Sequence, residues 1–269
     1  MLNEEQGYEQ NKNDFDEINN NIKNMGFCPI PPENKQVEDN KEKLPFSVRL
    51  AIVACGFAYG GFLILNIIWF LFTGKTDSKA LTIGETVFVN CGVYFSLFAI
   101  FLFFILKYRK YFIAKLKDPS KYLQGLIFGV ITIGIEIGVT MIMNAILPAE
   151  VNENQKVIID CTKAYPILMF IVTVFVGPLC EEMTYRVGLF EAIKEKNEKA
   201  ALIATSLIFA AIHISFSDTT VQAELNAFPV YVAIGFCLTY AYKKHGFACS
   251  YITHVFLNLI AFLSIMTQM

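Results

Sequence analysis

The chain has 269 residues, 55% of them hydrophobic, with 25 phenylalanines and a mean hydropathy of +0.47. Only 17% are charged, against about 25% in an ordinary soluble domain. The net charge of −2 and pI near 6.0 leave no basic surface for nucleic acid.

The charges are segregated along the chain. Residues 1–45 hold ten acidic residues, five lysines and nine asparagines. Such a segment has too little apolar surface to offset its ordering entropy, so residues 1–45 are expected to be a disordered acidic tail. They are not a signal peptide, because the first apolar run starts only near residue 48 and is too long. The seven cysteines (28, 55, 91, 161, 180, 237 and 249) form no CxxC pair, and most lie in apolar runs. That argues against a disulfide framework or a zinc ribbon.

Seven apolar spans follow, at 50–72, 86–106, 122–147, 165–192, 200–214, 227–242 and 247–266. The expected fold class is all-α, a polytopic transmembrane bundle. Its expected parts are the tail 1–45, two N-terminal spans with a basic loop (46–120) and a catalytic region (121–269). Spans five and six are short for crossing the hydrocarbon, which takes about 20 residues. Lys107, Arg109, Lys110, Lys115, Lys117 and Lys121 follow span two. Lys194, Lys196 and Lys199 follow span four, and Lys243 and Lys244 follow span six. These three loops share one side of a seven-span topology, so that side and the N-terminus are expected in the cytosol. The opposite loops (73–85, 148–164, 215–226) carry fewer Lys and Arg and more acid.

The spans also contain polar residues, which in hydrocarbon face a cavity or a partner. Glu136 stands alone in span three. Span four contains Glu181, Glu182 and Arg186. Glu182 and Arg186 are helical i,i+4 neighbours and can pair, while Glu181 lies about 100° round the helix without an intrahelical cation. The plainer reading puts both acids at a helix end in water, but ten residues separate Arg186 from Lys196. Phe209 and His213 share a face of span five, and His254 and Asn258 a face of span seven. Taken singly, a histidine in an apolar helix is more often a satisfied packing residue than a catalyst. A His/Asn pair is a common interhelical hydrogen-bonding device. His245 belongs to a turn beside Lys244 and Gly246.

Depth connects these residues. Glu181 lies 13 residues before Lys194, His213 14 after Lys199, and His254 and Asn258 10 and 14 after Lys244. At the helical rise, all lie about 15–21 Å from the cytosolic loops. Packing residues placed at random would not share one slab.

There is no HExxH zinc helix and no GxSxG elbow, and Asp77, Asp118, Asp160 and Asp218 all fall in loops. Glu, two His and Asn remain. A buried glutamate can act as general base toward a water that His213 holds, with His254 and Asn258 donating to the oxyanion. Alternatively Glu181, His213 and His254 could ligate one divalent metal such as zinc, whose bound water attacks. The residues accommodate both routes.

Glu181-Glu182-Met-Thr-Tyr-Arg186, Phe209-Ala-Ala-Ile-His213 and His254-Val-Phe-Leu-Asn258 resemble the EExxxR, FxxxH and HxxxN motifs of the CPBP family. These are the CAAX protease and bacteriocin-processing membrane proteins, also called Abi. The resemblance covers about residues 123–266, with all three motifs in order. It implies a membrane endopeptidase, glutamic or metallo, with Glu181 as catalytic glutamate and His213 helping to activate water. It further implies His254 and Asn258 at the oxyanion and Glu182 and Arg186 in support. The implied partners are membrane lipids and a peptide or lipidated protein substrate. The Asn-, Lys- and Ile-rich style is that of an AT-rich genome, pointing to a low-GC bacterium, where a small precursor peptide or membrane-bound protein fits better than a prenylated substrate. Two other readings compete: a non-catalytic scaffold or bacteriocin self-immunity protein of the same fold, and a proton-coupled transporter relaying through Glu136, Glu181 and the histidines. Inverted repeats would favour the transporter, and the sequence has none.

Overall fold

The computed structural model describes residues 43–60, 74, 81–147, 149–215 and 220–269. Residues 1–42 of the acidic tail and the second half of the first apolar span (61–72) lie outside the described residues. Among those described, all regular structure is helical: α1 (Phe46–Gly60), α2 (Ile83–Lys107), α3 (Arg109–Leu116), α4 (Ser120–Ile146), α5 (Glu153–Ala164), α6 (Pro166–Lys194), α7 (Glu198–Ala211), α8 (Val221–His245) and α9 (Phe247–Met266). Five of them, α2, α4, α6, α8 and α9, are long and apolar enough to cross a membrane. With no water in the hydrocarbon to satisfy backbone groups, helices are the form such runs must take. The chain is a multi-pass membrane protein.

Local sequence explains the helix ends. Thr82 and Glu85 form a reciprocal capping box at α2: the Glu85 amide donates to Thr82 Oγ1 (3.3 Å) and the Thr82 amide to Glu85 Oε2 (2.7 Å). Asn197 and Thr220 cap α7 and α8, each accepting from the amide three residues on. Gly246, at φ 83°, takes the left-handed conformation that turns α8 directly into α9.

Two differences from the sequence reading bear on the site. The fifth apolar span forms α7, only 14 residues long and ending at Ala211, so His213 lies in the turn beyond it. The expected external loop 148–164 contains α5, whose N-cap is Asn152, which accepts from the Gln155 amide at 3.3 Å.

α6 runs through the middle of the fold with more than half of its apolar stretch buried. Ile52 of α1, Leu97 and Phe101 of α2, Phe112 of α3, and Tyr242 and Phe247 of the α8–α9 hairpin pack with Met183, Val187 and Phe190 of α6. α4 packs on α8 and α9. At Gly125 the α4 and α9 backbones nearly touch: a Cβ there would lie 2.8 Å from the Cys249 carbonyl oxygen. The Thr253 hydroxyl donates to the Gly125 carbonyl across this contact at 3.0 Å. Small residues and interhelical hydrogen bonds of this kind hold membrane helices together where lipid offers no hydrophobic drive. The other face of α4 (Ile127, Val130, Ile131, Ile135, Ile142) is exposed, as a lipid-facing surface must be.

Candidate active site in a membrane cavity

α6 is not a uniform α-helix. Phe170–Val176 and Glu182–Phe190 are π-helical, with i→i+5 hydrogen bonds such as Gly177 N–H to Val172 O and Glu191 N–H to Arg186 O. Wide turns of this kind recur at functional sites. Pro178 adds a local defect. It has no N–H to give to the Thr173 carbonyl five residues earlier, and that carbonyl accepts instead from Asn258 Nδ2 at 2.7 Å. The amide keeps a second N–H for another acceptor.

Glu182 and Arg186 are both 0% exposed and pair at 3.0 Å. Glu182 also accepts from His254 Nδ1 at 2.9 Å and from the Ser250 hydroxyl, whose single proton is shared with the Leu238 carbonyl. Removing one partner from such a buried pair costs about 3–5 kcal/mol, so the network fixes its members strongly. The Arg186 guanidinium lies 4.9 Å from the centre of the Phe209 ring, and the rings of His213 and His254 lie 4.6 and 6.1 Å away. Phe209 is thus an apolar plate shared by the basic groups of all three motifs, which accounts for its place four residues before His213.

Because a carboxylate only accepts, His254 Nδ1 carries the proton on the Glu182 side. Its Nε2 then faces Glu181 Oε2 at 3.7 Å, too far for a hydrogen bond. Glu181 is 16% exposed. Its Oε1 accepts from the Tyr94 hydroxyl at 3.3 Å, and among the described residues its buried Oε2 has no hydrogen-bond partner.

His213 makes use of its position past the end of α7. Its Nδ1 donates to the Phe209 carbonyl (2.7 Å), one of the acceptors a helix end leaves open. A carbonyl cannot donate, so Nδ1 holds the proton and Nε2 of the neutral ring is an acceptor. The ring stacks on Tyr231 at 4.6 Å, and the Tyr231 hydroxyl accepts from Asn154 Nδ2 at 3.2 Å. Asn152 Nδ2 donates to the His213 carbonyl at 3.2 Å. The unforeseen helix α5 therefore braces His213 from the far side.

Glu181, His213, His254 and Asn258 line one cavity of about 830 Å³, with Tyr94, Tyr231 and Glu136 also on its walls. Phe209 lines it as well, and Glu182 and Arg186 stand behind it. Among the described residues no three His, Cys, Asp or Glu side chains are grouped to hold a metal ion. Sequence reasoning missed Tyr94, a tyrosine in an apolar span with no distinguishing signal, and Tyr231. The α5 start was visible in Asn152-Glu-Asn-Gln155, which has the spacing of a capping box.

Residues 163–260 match the family described as type II CAAX prenyl endopeptidase Rce1-like. An uncharacterised protein of Mycoplasma capricolum subsp. capricolum is 36% identical over 107 residues, which is 39% of this chain and 30% of that protein. YdiL of Bacillus subtilis (strain 168), described as a candidate membrane peptidase, is 35% identical over 93 residues, 35% of this chain and 34% of that protein. The chain thus spans about a third of the length of these relatives. No solved structure matches it. The segment 163–260, which carries all three motifs, is Rce1-like.

Proposed function

We propose that the protein is an intramembrane endopeptidase that hydrolyses a peptide bond in a membrane-associated protein or precursor peptide. The observation that carries this reading is Glu181, whose Oε2 has no donor among the described residues, on the wall of a cavity that His213, His254 and Asn258 also line. A water between Glu181 and His213 Nε2 would meet two acceptors, one for each proton. Glu181 takes the first as the oxygen attacks the scissile carbonyl. His254 donates to the oxyanion once Nε2 is protonated, and Glu181 is the adjacent group able to pass it a proton. The free N–H of Asn258 is the second oxyanion donor. Collapse of the tetrahedral intermediate breaks the C–N bond, and the proton that Glu181 took from the water and passed to His254 goes to the leaving amine.

The Rce1-like match and the candidate membrane peptidase from Bacillus support a peptidase in general terms. The lysine-bearing loops support a cytosolic N-terminus, with the site reached from that side. The two relatives are bacterial, which favours a bacterial host and a small precursor peptide or membrane protein as substrate.

Comparative peptidomics of membranes from wild-type and Glu181→Gln cells is the test. At equal protein abundance, wild-type membranes should release fragments that the variant does not. A phenotype that survives Glu181→Gln together with His213→Ala would instead make the chain a non-catalytic scaffold or immunity factor.

A further inference from the structure

The proposed chemistry uses Glu181 and leaves a second carboxylate in the same cavity without a task. Ile133, Glu136, Ile137, Thr140 and Asn144 of α4 line the cavity at successive helical turns, so they form one stripe facing inward. Contact with the neighbouring helices is made by Gly125, Gly129 and Thr132. Glu136 lies 15 residues after Lys121, which is about 22 Å along the helix and so close to the depth of the site.

Among the described residues Glu136 has no hydrogen-bond or ion-pair partner. An ionisable residue within a membrane span faces a partner or a pathway. It continues the stripe of Gly125, Gly129 and Thr132 that packs on the neighbouring helices, and at its own turn that stripe opens into the cavity. The charged side chains lining the cavity are Glu136, Glu150, Glu181 and Lys163. Lys163 is exposed at the end of α5, and Glu150 accepts from the Thr220 hydroxyl. The cavity therefore presents more acid than base, with apolar walls between. The ligand that complements it is an apolar chain bearing one cation.

We infer that the cavity takes a peptide segment carrying a lysine or arginine side chain, and that Glu136 receives that cation. This rests on the peptidase reading and adds a substrate class to it. The peptide lies along the stripe of α4, with the basic side chain at Glu136 and the scissile carbonyl at Glu181. Glu136 is then a specificity determinant. It selects the register in which the chain enters and takes no part in bond cleavage.

The test separates binding from cleavage. The full-length Glu181→Gln protein in detergent is titrated with fluorescent apolar peptides of about 20 residues, each bearing a single Lys, Gln or Glu moved along the sequence. At one position the Lys peptide should bind about tenfold more tightly than the Glu peptide. Adding Glu136→Gln should bring that ratio close to one, and Glu136→Lys should invert it. Thermal melting alongside checks that the variants are folded. A ratio that Glu136→Gln leaves unchanged, or no difference between Lys and Glu peptides at any position, overturns the inference. Failure of the peptidase reading looks different: the charge preference persists, while wild type cleaves no peptide or Glu181→Gln cleaves as well as wild type.

Discussion

The Tyr94 hydroxyl donates to Glu181 Oε1 at 3.3 Å, although the two residues stand 87 positions apart in the chain. Tyr94 lies on α2, outside the Rce1-like segment 163–260. This bond occupies one carboxylate oxygen and leaves the other beside His254 Nε2, so it orients Glu181. Tyr94→Phe should lower kcat about tenfold, the worth of a hydrogen bond to a charged group, with KM little changed. A purely structural role would instead lower thermal stability and leave kcat per folded molecule unchanged.

Arg186→Leu should be severely destabilising, by about 3–5 kcal/mol, because it leaves Glu182 as an uncompensated buried charge. Arg186→Lys keeps the charge but loses the flat guanidinium over Phe209, and should melt between wild type and Arg186→Leu. Thermal unfolding in detergent orders the three proteins. Equal melting of wild type and Arg186→Leu would mean the pair contributes nothing.

Gly125→Val should destabilise by about 1–3 kcal/mol through overpacking, since the new Cβ meets the Cys249 carbonyl and Ile252. Gly134→Ala is the control: a Cβ there meets nothing within 4 Å. It should melt at or slightly above the wild-type temperature.

The Lys243–Glu198 ion pair (2.5 Å) ties the start of α7 to the end of α8. Lys243 holds the Glu198 carboxyl below its ordinary value near 4.5. A carboxyl depressed on folding stabilises above its unfolded value and loses that contribution as pH falls through the folded one. The stability difference between wild type and Glu198→Gln should therefore be present at pH 7 and be lost as pH falls through the depressed value of the Glu198 carboxyl. Both residues are solvent-accessible, so the difference should be small and should shrink in high salt.

Topology gives a separate test. The native cysteines within the described residues are buried, except for half-buried Cys55. A cysteine introduced at Lys196 should be shielded from an impermeant maleimide in intact cells, and one at Lys156 labelled. The reverse pattern would invert the proposed orientation.

The apolar runs predicted the long helices well because membrane helices are set by length and hydropathy, both of which are linear properties. The pairing of Glu182 with Arg186 followed from i,i+4 spacing for the same reason. His213 was harder. Its i,i+4 relation to Phe209 survives, but through the side chain donating to a carbonyl at a helix end, and no cap residue in the sequence announces that end. The separation of Glu181 from Glu182 by about 100° was read from an ideal α-helix. In the folded chain both acids reach His254, one at each ring nitrogen, although the backbone at both positions keeps α-helical dihedrals. The placement of that imidazole by α9 and the wide turn that follows Glu182 are tertiary features that leave no compositional mark.

That wide turn has a consequence for how the site can vary. An extra residue in a helical turn is a length, and lengths change by insertion or deletion rather than by substitution. Removing one residue between Glu182 and Arg186 while the wide turn persists would rotate the side chains on one side of the deletion relative to those on the other. Arg186 would leave Phe209, or Glu181 and Glu182 would leave His254. The count of residues between the paired acids and the arginine is thus as much a part of the machinery as the side chains themselves. A chain could exchange most of the apolar residues around them and keep the site, but it could not lose one position.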